Sequence, residues 1–327
     1  MDLSLHMFAN IPKLLRYHYR EKNLNWPHVV FFTVVHVTAC CGIFRVAHCS
    51  RETILFAYSL WAMTGKGITV GAHRLWAHKS FEAHFIVRFL LMLLNSMAYQ
   101  GSVYSWATNH RVHHKYSDTD ADPHNSLRGF FFSHIGWLLL KKHPDRIQAE
   151  SQIDSSDLWA DPLIRIQHKC DPWFAVPAIL SPCLVAYYCW GESISNSILV
   201  VGCLRYSVVL HVTFLVNSAA HVWGDHPYDA KSVTGDNPMV SFLAGGEGWH
   251  NWHHKYPFDY AASEFGISSQ YNPSKLVIDT CAFMGLVWNR KRATASWRLC
   301  RNRRSLVAAS TNCNNADTEI ASAKKCM

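Results

Sequence analysis

The sequence predicts an all-α integral membrane protein, with four transmembrane helices and a cytosolic helical cap carrying a histidine-rich site. Three observations point there. The 327 residues are 49% hydrophobic and only 17% charged, whereas an average soluble domain carries roughly 25% charged residues. The apolar residues are gathered into long blocks rather than spread at amphipathic spacing. Histidines, 21 in all, recur in tight groups just outside those blocks.

The first block runs over residues 27–48 and the second over 53–70, separated by so few residues that they form a helical hairpin. The third, 174–190, and the fourth, 198–216, are joined by the short link Gly191 to Asn196. Each approaches the ~20 residues that cross a ~30 Å hydrocarbon core. Four spans put both termini on one side. Lys13, Arg16, Arg20 and Lys22 mark the N-terminal arm, residues 1–25, and most other basic residues lie in the central and C-terminal segments. Of the hairpin links, only the first carries a basic residue, Arg51. The positive-inside rule therefore makes the termini and both large polar segments cytosolic. The N-terminus has no basic region followed by an apolar core and cleavage site, so no removable signal peptide is expected. The spans and cap form one unit over 26–305. The tail, 306–327, is rich in Ser, Asn, Ala and Lys and is expected to be disordered.

A fifth apolar run, 85–99, is read as an interfacial or buried helix, because a crossing there would separate His110 from His73 by the membrane. Arg45, Lys66 and Arg205 fall inside predicted spans, close enough to a face for their stems to snorkel, and for Lys66 and Arg205 a functional role at depth stays open beside that reading. Eleven cysteines show neither framework spacing nor a CxxC pair, which argues for reduced packing thiols over a disulfide scaffold.

The histidines carry the chemistry. His250, His253 and His254 in GEGWHNWHH stand at i, i+3 and i+4, neighbours on one helical face, and His110, His113 and His114 repeat the spacing. His73 and His78 are five apart, so they converge only if the helix ends or kinks between them. Asn217 and His221, four apart, share a face at the end of the fourth block. Asp118, Asp120 and Asp122 lie close enough to accept the free ring N–H of a ligating imidazole. Isolated histidines such as His143 and His168 are read as packing or surface residues. No thiolate accompanies the nine grouped histidines, which argues against a cysteine-type structural zinc site. Nine ligands exceed one ion, so two are implied, and imidazole suits iron, copper, zinc or nickel.

HRLWAH, HRVHHKYSDTDADPHN, NSAAHVWG and GEGWHNWHH, in this order, resemble the motifs of the membrane acyl-CoA desaturases of the stearoyl-CoA (delta-9) desaturase family, and the resemblance covers roughly Trp26 to Arg290. It implies a four-span fold with a di-iron centre. Five of His73, His78, His110, His113, His114, His221, His250, His253 and His254 would hold one iron, and four would hold the other together with a water on Asn217. It implies an O2-dependent desaturation of a fatty acyl-CoA, at C9–C10, with electrons from cytochrome b5 and its NADH-dependent reductase. By the same resemblance Trp106 and Thr213 shape a bend in the acyl tunnel and Gln100 lies along it. Trp61 and Gly65 sit near its blind end, a bulky Trp61 suggesting a shorter tunnel, and Lys141 and Lys142 face the CoA phosphates. The chain departs from the family pattern at His28, Gly101, Thr108, Asn109 and Phe214, all on the head-group side.

Two other readings stay open: a lipid desaturase or hydroxylase with a different head group, and a non-catalytic metal-binding membrane protein. The net charge of +8 is assigned to anionic membrane lipid and to an acidic electron donor, with Arg298, Arg301, Arg303 and Arg304 available to either. Nucleic acid is excluded by four spans and the lack of a recognition motif. The terminal Lys324-Lys325-Cys326-Met327 resembles a dilysine retrieval signal, consistent with the endoplasmic reticulum membrane.

Overall fold

The computed structural model describes residues 11–299. The expected tail 306–327, Arg301, Arg303, Arg304 and the Lys324-Lys325 pair lie outside the described residues. What is described is mostly helical, with one two-stranded ribbon pairing Glu82 with Trp288 and Ala83 with Val287.

The first apolar block forms a helix over Trp26–Arg45, with Pro27 in its first turn, where the missing N–H costs nothing. Ser50 then caps the second helix, Arg51–Lys66, by accepting from Thr53 N. That helix does not stop at residue 70. It continues through Ala77 as a π-helix, Gly67–Ala77, buried along its whole length. The third block forms Ala175–Trp190, and the fourth runs continuously over Ile194–Val222, longer than its apolar core suggested because the flanking polar residues keep helical pairing. Among the described residues two helices, Trp26–His48 and Ile194–Val222, are long and apolar enough to cross a membrane. Phe85–Ala98 and Val103–Tyr116 make a third only if counted together, and they are bent by 83° at their junction. Tyr99 (φ 50°) and Gly101 (φ 84°) make that bend, glycine adopting the left-handed region without a Cβ clash.

Polar contacts tie the apolar helices together at both ends. In the link between the third and fourth blocks, Glu192 accepts from Ser50 N (3.0 Å) and Thr53 Oγ1 (2.7 Å), while Asn196 accepts from Arg45 Nε (2.8 Å). Arg205, fully buried, donates to Met97 O (3.2 Å) and Val201 O (2.9 Å), so its charge meets the carbonyl end of the 85–98 helix. A file of imidazoles links the first and fourth long helices to residues 132–136. His36 Nε2 lies 2.9 Å from His211 Nε2, and His211 Nδ1 lies 2.9 Å from His134 Nε2.

The main core wraps the π-helix. Val70, Leu75 and Trp76 pack against Val87, Leu91, Val103, Ile164 and Ile278. A Cβ at Gly67 would stand 2.3 Å from Asn95 N and 2.4 Å from the backbone carbon of Leu94. Backbone cannot yield as a flexible side chain can. Gly67→Ala is therefore expected to destabilise the protein by about 1–3 kcal/mol. Thermal unfolding in detergent reads this, and an unchanged midpoint would contradict the packing.

Candidate metal centre and acyl cavity

Four stretches of chain bring the nine grouped histidines together, each by a different local device. The first is the π-helix. Its wider turn pairs residue i with i+5, and His78 N donates to His73 O at 3.1 Å. The five-residue offset that a straight α-helix would splay is thereby aligned, with the two ring centroids 4.9 Å apart. His110, His113 and His114 lie on the regular helix Val103–Tyr116, and His221 on the last turn of Arg205–Val222. The last three sit on a helix of six residues, His250–Lys255, too short to be stable alone. Asp236 holds its start by accepting from Asn251 N (2.9 Å) and Trp252 N (3.3 Å). The Asn251 side chain donates to Thr234 O and Asp229 O, and Trp252 is buried against Tyr228 and Trp297.

The rings fall into two groups. His73, His78, His110, His114 and His253 form one, and His113, His221, His250 and His254 the other, with the candidate ligand atoms of each group within 4.8 Å of one another. Neither i, i+3, i+4 triplet serves a single group. His110 and His114 face one centre while His113 faces the other, and His253 is parted from His250 and His254 in the same way. The division is five and four.

Carboxylates fix the rings from behind. Glu247 lies 2.9 Å from His73 Nδ1 and accepts from Arg74 Nη2 at 2.7 Å. Burial works to raise the Glu247 carboxyl, but the Arg74 guanidinium and His73 hold it at about 2. Asp122 accepts from His113 Nδ1 at 3.0 Å, and Asp118 stands 3.8 Å from His221 Nδ1, long for a hydrogen bond. Asp120 is exposed and does not reach the site. Of the three acids expected behind the rings, the two nearer ones are Asp118 and Asp122. Glu247 was legible only as the acid inside GEGWHNWHH, and Arg74 only as a charge beside a histidine. His124, 3.6 Å from Asp122, carried no signal beyond its place in DPHN.

With Nδ1–H committed to a carboxylate, His73 and His113 turn lone pairs inward at Nε2. His73 Nε2 lies 3.0 Å from His253 Nε2, His114 Nε2 2.9 Å from His253 Nε2, and His113 Nε2 3.3 Å from His254 Nε2. Burial, reinforced by neighbouring imidazoles, pushes His78, His250, His253 and His254 well below the usual histidine range, so each is a neutral ring with a lone pair to give. Converging neutral imidazoles, oriented by carboxylates behind them, fit a pair of metal ions.

An apolar cavity of ≈ 300 Å³ opens from the rings and runs along the second helix. His73, His110, His113 and His250 border one part, and Trp61, Gly65, Trp106, Thr213 and Asn217 line it further. Trp106 stacks on His110 with ring centroids 5.1 Å apart. Gln100 stands behind the wall, donating to Thr213 Oγ1 (2.9 Å) and accepting from Trp106 Nε1 (3.3 Å). Lys141 and Lys142 lie elsewhere, in a recess with Tyr19, Arg20, Lys22, Asn25 and Trp26, and Lys142 is paired with Glu150 at 2.6 Å. The isolated histidines have local partners: His143 caps the helix Pro144–Ser151 and His168 bonds Ser102 Oγ at 2.8 Å.

Residues 52–270 match the model of the family described as fatty acid desaturase. The chain is 45% identical over 279 residues to human stearoyl-CoA desaturase 5, covering 84% of this chain and 83% of that protein. It is 47% identical over 278 residues to the acyl-CoA Delta(11) desaturase of Trichoplusia ni, covering 83% and 78%. It is 42% identical over 281 residues to the stearoyl-CoA desaturase of Sus scrofa, covering 86% and 78%.

Removing the Glu247 charge tests how the rings are held. Glu247→Gln keeps the shape but weakens the acceptor shared by His73 and Arg74, and metal affinity should fall by about 10–100-fold. Metal content after dialysis against a graded chelator measures it; retention equal to the unaltered protein would refute the role.

Proposed function

The chain belongs to the fatty acid desaturase family, and from that membership we propose that it is an O2-dependent acyl-CoA desaturase placing a double bond at C9–C10 of a saturated fatty acyl chain. The observation that carries this reading is the meeting of nine histidines, in groups of five and four, with an apolar cavity. The cofactor is two iron ions. His73, His78, His110, His114 and His253 would hold one; His113, His221, His250 and His254, with a water on Asn217, would hold the other. Electrons come from cytochrome b5 and its NADH-dependent reductase. The setting is the endoplasmic reticulum membrane, with four spans and both termini cytosolic. Supporting that topology, Trp26–Arg45, Arg51–Lys66 and Ala175–Trp190 all pack against the long helix Ile194–Val222.

Iron held there would supply the activation of O2 that an unactivated C–H requires. The overall change takes one hydrogen from each of two adjacent methylenes and reduces O2 to two waters with two electrons and two protons. The protein's own task is placement. Trp106, locked by its stack on His110 and its bond to Gln100, and Thr213, bonded to the same amide, form a rigid wall beside the rings. Successive methylenes differ only in location, so a fixed wall selects which pair meets the centre. Apolar lining excludes the water that would otherwise intercept the oxidant.

A related reading, a desaturase or hydroxylase with another head group, is favoured by one set of contacts. Asn109 accepts from Arg146 Nη2 (3.1 Å), Thr108 bonds Ser155 (2.9 Å) and Lys142 is neutralised by Glu150. These side chains are engaged internally on the face where a carrier would lie. Relatives named for stearoyl-CoA and for Delta(11) are similar to nearly equal degree, so identity does not separate C9 from C11, and the C9–C10 position rests on the resemblance of the histidine motifs to the delta-9 family.

Expression in a desaturase-deficient host, with double bonds located in extracted lipids and in acyl-CoA assayed directly, tests the activity, the position and the carrier. New C9 unsaturation is expected. Folded, iron-loaded protein giving no alkene would overturn the proposal, and an alcohol product would move it to hydroxylation. His253→Ala, which removes the ring touching both His73 and His114, should abolish iron binding and product together.

A further inference from the structure

One side chain in the cavity wall is unlike the rest. Lys66 lines the cavity at the level of Gly65, among Ala62, Ile68, Thr69 and Val209. Its ammonium donates to Ser274 Oγ at 3.1 Å. Ser274 Oγ in turn donates to Gly245 O (2.6 Å) and meets Thr69 Oγ1 at 2.8 Å. Gly245 and Pro273, both lining residues, flank the ammonium so closely that a Cβ on Gly245 would stand 2.4 Å from Nζ. The nearby carboxylate, Glu247, is already occupied on one oxygen by Arg74 and on the other by His73. Lys66 thus carries a cation at the wall with one hydroxyl bonded to it and no carboxylate in contact.

Position along the cavity gives that cation a consequence. Going from the rings down the second helix, the lining residues are His73, Thr69, Lys66 with Gly65, then Ala62 with Trp61, then Tyr58. Seven residues separate Lys66 from His73, a rise below the about 10 Å of a regular α-helix because the stretch between them is the wider π-helix. A chain that ends short of this level meets apolar wall. One that continues to Trp61 and Tyr58 must lie across the ammonium and strip water from it. Phe242 and Tyr271, which line the cavity, are 63% and 44% exposed with their rings 5.3 Å apart, so the cavity reaches the surface there. Burying a methylene is a small gain beside desolvating a cation whose remaining donors find no acceptor in the chain.

Resting on the acyl-desaturase reading above, we propose that Lys66 is a specificity-determining residue. Its ammonium acts as a polar stop partway along the cavity, selecting acyl chains that end before it and disfavouring longer ones that the space beyond would otherwise admit. Gly65 leaves that space open, since a Cβ there would touch nothing within 4 Å. The limit is therefore electrostatic at Lys66 before it is steric at Trp61.

The test is a series of saturated acyl-CoAs of increasing even length, assayed with the unaltered protein, Lys66→Met and Lys66→Arg. Product from the shorter chains in all three proteins establishes the desaturase reading independently and shows that the variants fold. Lys66→Met, similar in volume but uncharged, should raise kcat/KM for the longest chains by about tenfold or more relative to the shortest. Lys66→Arg should keep the original profile. Coinciding length profiles for Met and Lys would overturn the stop while leaving the desaturase reading intact. A second measurement does not depend on turnover or on folding of a variant. In the iron-loaded protein kept without O2 and reductant, carbamylation of Lys66 by cyanate, followed by peptide mass spectrometry, should be slowed by bound long-chain acyl-CoA and not by short-chain acyl-CoA. Equal protection by both would place the ammonium outside the chain's path and refute the proposal.

Discussion

The rest of the cap is arranged around lone pairs that point at one another. Imidazoles turned inward, His78, His250, His253 and His254 among them held neutral by burial, repel across the gaps between them, and burial removes the water that would screen that repulsion. Such an arrangement persists only when the rings are held from behind and a cation sits in front. The holding is visible. Glu247 and Asp122 accept from ring N–H groups, Arg74 fixes Glu247 while donating to Tyr260 O and Ala261 O, and Asp236 fixes the six-residue helix that brings three rings. A buried charge pair such as Arg74–Glu247 contributes little net stability by itself. Its value here is geometric, because it ties the π-helix to the loops carrying the last three histidines.

Two backbone devices deliver the five-and-four division. The regular helix Val103–Tyr116 places His110 and His114 one turn apart on one side and His113 between them, turned towards the other group. The π-helix supplies what an α-helix cannot, a pair at i and i+5. It is costly structure, with a widened turn and no intrinsic stability, and it survives because every residue from Gly67 to Ala77 is buried. Packing of Gly67 against the backbone of the 85–98 helix belongs to the same bargain between strain and burial. The sharp turn at residues 99–101 then sends the chain back so that His110 can meet His78, with Nε2 atoms 2.8 Å apart.

Much of this was readable in the sequence, and the unread parts have a common cause. Short-range spacing is legible: the i, i+3, i+4 triplets and the apolar blocks announce helices and ring clusters, and the His73–His78 offset announces that something other than a straight helix must intervene. Assigning rings to centres was not legible from spacing alone, because a triplet on one face can serve two ions when the partner helices approach from different sides. Long-range polar pairing was hidden too. Glu247 with Arg74, Asp236 with the backbone of residues 251 and 252, and the file His36–His211–His134 join residues from 15 to 175 positions apart. No local pattern encodes such pairs. The count of spans was read from apolar runs of near-equal length, yet the runs fold into helices of unequal reach, from the 16 residues of Ala175–Trp190 to the 29 of Ile194–Val222.

The departures from the family pattern acquire a physical meaning once their partners are seen. Gly101 makes the left-handed turn at the helix junction, His28 Nδ1 bonds Leu138 O (2.9 Å), and Phe214, buried, packs on His134 and Trp137. Together with Thr108 and Asn109 these residues surround the bend and the 130–142 segment, and none of them touches the nine rings. In the proposed reading an acyl substrate would be measured twice. From the carrier to the centre, the count of carbons would fix where the bond forms, against the wall of Trp106 and Thr213 beside the rings. From the centre to the methyl end, the count would fix how long a chain is accepted, against the lining residues Lys66, Gly65, Trp61 and Tyr58. Substitution on either side can change one measurement and leave the other, and the chemistry at the centre, as it was.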